Sequence, residues 1–121
     1  MSAIGTRDPR PLVRSGPDGS RVAGIRCNAC QEVAAFAWPR CPECGREVSP
    51  AEFGPEGTVW SATVVRIPIP GRTPPYALAY VDIDDGPRVL AHVGTHAPPI
   101  GARVRLLPCS PDGDVRAEVV T

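Results

Sequence analysis

Apolar positions in this chain fall into short runs rich in β-branched residues. They are separated by polar stretches dense in proline and glycine. Thr58–Ile67, Tyr76–Ile83, Arg88–Val93, Arg103–Leu107 and Val115–Val120 each read as a strand. Arg21–Arg26 reads as a shorter one ahead of them. The turn Asp84-Asp85-Gly86-Pro87 separates the second and third runs, and Ser110–Asp114 the last two. Sixteen prolines and twelve glycines interrupt the chain so often that Ile25–Trp38 is the longest stretch without either. Long helices are excluded on that ground, and the class is all-β. The alanine-rich run Gln31-Glu-Val-Ala-Ala-Phe-Ala37 is too short to hold a helix alone.

Three regions follow from these breaks. Residues 1–20, with Pro9, Pro11, Gly16, Pro17 and Gly19, are expected to be an irregular arm. Residues 21–50 hold four of the five cysteines, and residues 51–121 hold the five strands. Val48–Gly57 reads as the linker between the two. Five short strands after a linker suit a small closed barrel, of which the oligonucleotide/oligosaccharide-binding (OB) form is the commonest.

The cysteines carry the strongest chemical signal. Cys27-Asn-Ala-Cys30 and Cys41-Pro-Glu-Cys44-Gly45 are two Cys-x-x-Cys pairs, ten residues apart. Each pair forms a knuckle aiming two sulfurs at one point, and a hairpin between them brings four thiolates around one ion. Pro42 fixes φ within the second knuckle, and Gly45 supplies the positive φ that follows. A structural zinc ion held by Cys27, Cys30, Cys41 and Cys44 in a rubredoxin-like ribbon is the expected reading. With all four positions filled by protein, no site is left for an activated water. Two disulfides, a redox pair, or iron in place of zinc are the competing readings. Met1 is followed by no secretory pattern, which opposes disulfides and sets a cytoplasmic location as the expectation. Arg26, Arg40 and Arg46 lie within two residues of a ligand and would offset the charge of about −2 on a Zn(Cys)4 centre.

Charge narrows the function classes. Thirteen arginines balance thirteen acids, and lysine is absent. A neutral chain without a basic tail argues against tight nucleic-acid binding. No apolar run approaches the ~20 residues of a membrane span. His92 and His96 accompany no recognisable nucleophile motif and read as a strand and a loop residue. Cys109 reads as a semi-buried structural cysteine.

The order of features resembles a family of small zinc-ribbon/OB-fold proteins encoded beside thiolases and other acyl-CoA enzymes, long catalogued as a domain of unknown function. The residues that carry the likeness are the two knuckles with Trp38-Pro39-Arg40 before the second, the strand Gly57–Val65, the strand and turn Pro75–Gly86, and the approach Ile100–Val104. They span roughly the central two-thirds of the chain. Two features depart from the family. No helical pattern precedes the ribbon, and Gln31 stands where a glycine commonly follows the first knuckle. The resemblance implies a non-catalytic accessory subunit that binds a thiolase-like or hydratase-like enzyme and supports acyl-CoA binding, the catalytic groups belonging to the partner. Candidate partner-binding residues are Phe36, Trp38, Ile67, Ile69 and Arg72, and arginines near the Pro68–Pro75 loop are placed to meet coenzyme A phosphates. The alternative class is a single-stranded nucleic-acid-binding OB protein using aromatic platforms.

Overall fold

The computed structural model describes residues 10–120. Among them are nine strands and no helix. The strands are β1 Leu12–Gly16, β2 Gly19–Cys27, β3 Val33–Ala34, β4 Val48–Phe53, β5 Glu56–Val65, β6 Tyr76–Ile83, β7 Arg88–His92, β8 Arg103–Leu107 and β9 Arg116–Val119. No helix is long and apolar enough to cross a membrane.

The first four strands make one antiparallel sheet with β2 at its centre. Val22 and Ala23 pair with β1 on one side and with Phe53 and Glu52 of β4 on the other. Ile25 and Arg26 pair with β3 as well as β4, so β3 continues the edge that β1 begins. The expected irregular arm is corrected here. Residues 1–9 lie outside the described residues, but Leu12–Gly16 is a full strand of the ribbon sheet. The breakers fall in the turn and leave the strands intact. Gly16 pairs with Gly19 across Pro17-Asp18, and Gly19 takes φ 117°. The expected linker is corrected too. Val48–Phe53 is β4, despite Pro50, because β4 pairs with β2 alone among the described strands, and an edge strand tolerates a proline's missing donor.

The last five strands close into a barrel of order β5-β6-β7-β9-β8, sealed by antiparallel β5–β8 pairing and a parallel contact of His92 with Arg116. That is the connectivity of an OB barrel. The alternation in β6 explains the closure. Ala77, Ala79, Val81 and Ile83 are buried, while Tyr80 between them is exposed on the outer wall.

Ribbon sheet and barrel share one core. Val22 and Phe53 from the sheet pack with Val59, Val81, Ile83 and Leu106 from the barrel. Burying a side chain such as Val81 completely contributes about 1.5–3 kcal/mol. Gly86 makes room for this junction, since a Cβ there would lie 2.9 Å from the Phe53 side chain. Arg26 adds a polar tie, its Nη2 donating to the Asp85 carbonyl at 3.1 Å with the guanidinium 5.8 Å from the Phe53 ring centroid.

Candidate metal centre and docking surface

The backbone builds the metal centre from both ends of the ribbon. Cys27 closes β2, and its N–H donates to the Glu32 carbonyl at 2.8 Å, folding the first knuckle back on itself. The N–H groups of Ala29 and Cys30 both donate to Cys27 Sγ at 3.3 Å. In the second knuckle the N–H groups of Glu43 and Cys44 reach Cys41 Sγ at 3.3 and 3.5 Å. Gly45 follows with φ 74°, and Gln31 takes the matching conformation after the first knuckle with φ 66°. A side chain at positive φ costs about 1 kcal/mol, so Gln31 holds this turn at a local penalty.

The four sulfurs converge. Cys27 and Cys44 Sγ are 3.5 Å apart, Cys30 and Cys41 Sγ 3.6 Å, and all four lie within 4.8 Å of one another. Sulfurs bound at about 2.3 Å in a tetrahedron stand ~3.8 Å apart, so the set fits a single ion and can hold one. Cys27 and Cys41 are buried, whereas Cys30 and Cys44 face outward. The electrostatics match the donor set. The N–H of Cys30 holds the Cys27 thiol down at about 6, against the opposing effect of burial. Against the N–H of Glu32, which lowers it, burial and the neighbouring cysteines push the Cys30 thiol up to about 12. Four thiolates at this spacing need a cation among them. Cys109, the fifth cysteine, is exposed rather than semi-buried.

The candidate partner residues divide into two places. Phe36 and Trp38 meet in a tilted contact with ring centroids 4.9 Å apart, and Trp38 is 45 % exposed. Phe36 also walls a groove of about 720 Å³ on the ribbon face, with Leu12, Ala23 and Pro50 among its lining residues and Arg10 and Arg14 at its border. Ile67 and Ile69 stand exposed on the loop between β5 and β6. Arg72 on the same loop is engaged: its Nη2 donates to Asp114 Oδ1 at 2.8 Å.

Asp114 is a node that the sequence did not reveal. Its buried carboxylate also accepts from Arg10 Nη1 at 2.9 Å, and His92 Nε2 lies 3.8 Å away. It therefore joins the start of the ribbon, the β5–β6 loop, β7 and the β8–β9 turn. The Arg72 hydrogen bond, with Arg10 adding to it, holds the Asp114 carboxyl at about 2. Burial lowers the His92 imidazole from its ordinary value, with Asp114 opposing. Because the folded carboxyl titrates below its unfolded value, the node stabilises above about pH 4, and that stabilisation is lost as pH falls toward 2. We expect Asp114→Asn to cost about 1–3 kcal/mol at neutral pH. Acid unfolding curves should then show less pH dependence for the variant than for the parent between about pH 4 and 2.

A second feature lies on the outer barrel wall. Trp60 follows buried Val59 in the alternation of β5 and so faces outward, at the point where the β5–β6 register shifts between Val59 and Ser61. Tyr80 meets it edge to face at 6.2 Å, and the Arg88 guanidinium lies 3.8 Å over it. Arg88 is itself clamped by Asp82, with Nε donating to Oδ1 at 2.6 Å and Nη2 to Oδ2 at 3.2 Å. The position of Tyr80 between buried alternating residues was the available sequence signal. The same alternation, after buried Val59, marks Trp60 as outward.

A four-cysteine ribbon fused through one core to an OB barrel defines a class of protein, and comparison with known proteins places the chain within it. Residues 51–107 match the family model described as ChsH2, C-terminal OB-fold domain. The fold is similar to a chain of the Ltp2-ChsH2(DUF35) aldolase, with TM-score 0.62 and 29 % identity, covering 82 % of this chain and 83 % of that one. It is also similar to a DUF35-family protein of unknown function from Sulfolobus solfataricus, with TM-score 0.63 and 19 % identity over 83 % of this chain and 76 % of that one, a likeness of fold alone. The chain thus resembles DUF35-family proteins, and its barrel matches the OB-fold domain of ChsH2.

This corrects one expectation. The family resemblance, the closed metal site and the absent nucleophile motif set a non-catalytic role as the expectation. The Ltp2-ChsH2(DUF35) structure that the chain resembles is that of an aldolase, so the likeness points to an enzyme-complex component.

Proposed function

We propose that this chain is a subunit of an aldolase-type enzyme complex. In this reading it docks on a thiolase-like or hydratase-like enzyme in the cytoplasm and supports binding of an acyl-CoA substrate. The observation that carries the reading is the likeness to the Ltp2-ChsH2(DUF35) aldolase, which extends over four-fifths of both chains and so takes in ribbon as well as barrel. Cys27, Cys30, Cys41 and Cys44 hold one structural zinc ion in this account, which keeps the Phe36–Trp38 hairpin in shape. Iron is the competing metal, and a colourless purified protein with one zinc per chain excludes it. The reduced thiols that such a site requires fit a cytoplasmic location.

The docking surface comprises Phe36, Trp38, Ile67 and Ile69, with Arg72 holding the loop that carries the isoleucines. Trp38→Ala is expected to leave metal content and thermal stability nearly unchanged, because the side chain is close to half exposed. It should weaken capture of the enzyme by about 2 kcal/mol, the scale of an aromatic hot spot. A large loss of stability with unchanged capture would instead make Trp38 a core residue.

The reading is tested by assaying carbon–carbon bond cleavage of acyl-CoA aldol substrates by a purified thiolase-like or hydratase-like partner enzyme, with and without this chain. Activity that requires both chains is expected. Full activity of the enzyme alone would overturn the proposal.

A further inference from the structure

We infer that the outer wall of β5, β6 and β7, centred on Trp60 and Tyr80, is a second part of the protein interface and the place where the partner enzyme covers the barrel. This rests on the enzyme-complex reading above and extends it to a surface absent from the candidate residues. Trp60, Tyr80 and Leu90 lie on adjacent strands and are 50, 44 and 44 % exposed. Register joins them: Tyr80 stands opposite Ser61, beside Trp60, and pairs directly with Leu90. Two large aromatics and an arginine on one rigid sheet are the residue types that dominate protein interfaces.

Charge decides the kind of occupant. In OB barrels this wall and the loops flanking it commonly take oligonucleotides, which require an open basic groove. Here the cations are neutralised from within. Arg88 is clamped by Asp82, and Arg72 and Arg10 converge on Asp114, bridging the β5–β6 loop to the β8–β9 turn. A polyanion would find none of these three arginines unpaired. The matching surface is a protein face that is apolar at its centre and uncharged opposite the Arg88–Asp82 pair.

The wall is also continuous with the ribbon side. Leu90 and His92 share a hollow with Arg10, and Arg10 borders the groove walled by Phe36. One partner surface can therefore run from the hairpin across Arg10 to Trp60.

The test compares the full chain with Trp60→Ala and Tyr80→Ala. Thermal unfolding and metal content first confirm that each variant is folded, which the outward position of both side chains predicts. Affinity for the purified thiolase-like or hydratase-like partner enzyme is then measured by calorimetry. We expect Trp60→Ala to bind roughly 30-fold more weakly. Parent and variants that bind the enzyme equally would overturn this inference while leaving the enzyme-complex reading intact. A parent chain that does not bind the enzyme overturns both. Two controls decide the other occupants. Binding of a single-stranded oligonucleotide that is lost in Trp60→Ala would assign the wall to nucleic acid. A dimer of the chain alone that is lost in Trp60→Ala would assign it to a second copy. Either result overturns the inference.

Discussion

Cys41→Ser is expected to reduce bound metal from one ion per chain to near zero and to unfold the ribbon sheet. Cys41 is the buried sulfur of the second knuckle, and two N–H groups already converge on it. Serine keeps the size but not the thiolate. Apparent binding free energies for structural zinc are about 10–16 kcal/mol at neutral pH, as large as the whole stability of a typical domain. The remaining links of the ribbon are weak by comparison, since β3 is two residues long and the stretch Ala35–Glu47 contains no strand. The barrel should suffer too, because Val22 and Phe53 leave its core when the sheet frays. Metal analysis combined with amide hydrogen exchange separates the two effects. Protection should vanish in β2–β4 and weaken in β5 and β6.

The second large effect is expected at Gly24. A Cβ there would lie 1.9 Å from the Ala34 carbonyl oxygen and 3.0 Å from its carbon. Both are backbone atoms, so no side-chain rotation relieves the clash. Gly24→Ala must push β3 away from β2, breaking the pairing of Ile25 with Ala34 and of Arg26 with Val33. Overpacking of this kind costs about 3 kcal/mol. The same shift moves the stretch that leads to Phe36 and to Cys41. A lower denaturation midpoint with weaker metal retention is the expected outcome, checked by chemical unfolding in the presence of a competing chelator. A variant as stable as the parent would show that β3 is not fixed by this approach.

The sequence was most legible where chemistry is local. Cysteine spacing within knuckles places the four ligands, and the β-branched runs mark the barrel strands to within two residues at either end. It was least legible where a breaker changes meaning with context. Pro17 and Gly19 forecast disorder when counted, yet they make the turn that lets Leu12–Gly16 pair with β2. Pro50 reads as a linker residue until β4 is known to lie at an edge. Contacts between distant segments left no trace at all. Asp114 meets Arg10 and Arg72 across 104 and 42 residues, and nothing near it in sequence announces either partner. The register shift of β5 against β6 at Trp60 is likewise a property of the strand pair, which a single strand does not encode.

The central claim is that this chain works as a subunit docked on an enzyme. Sedimentation velocity of the metal-loaded chain mixed with a purified thiolase-like or hydratase-like partner enzyme tests that claim most directly. The account predicts a single faster boundary containing both chains in fixed ratio, persisting on dilution to micromolar concentration. Two boundaries at the positions of the separate proteins, with metal fully bound and both chains folded, would contradict it.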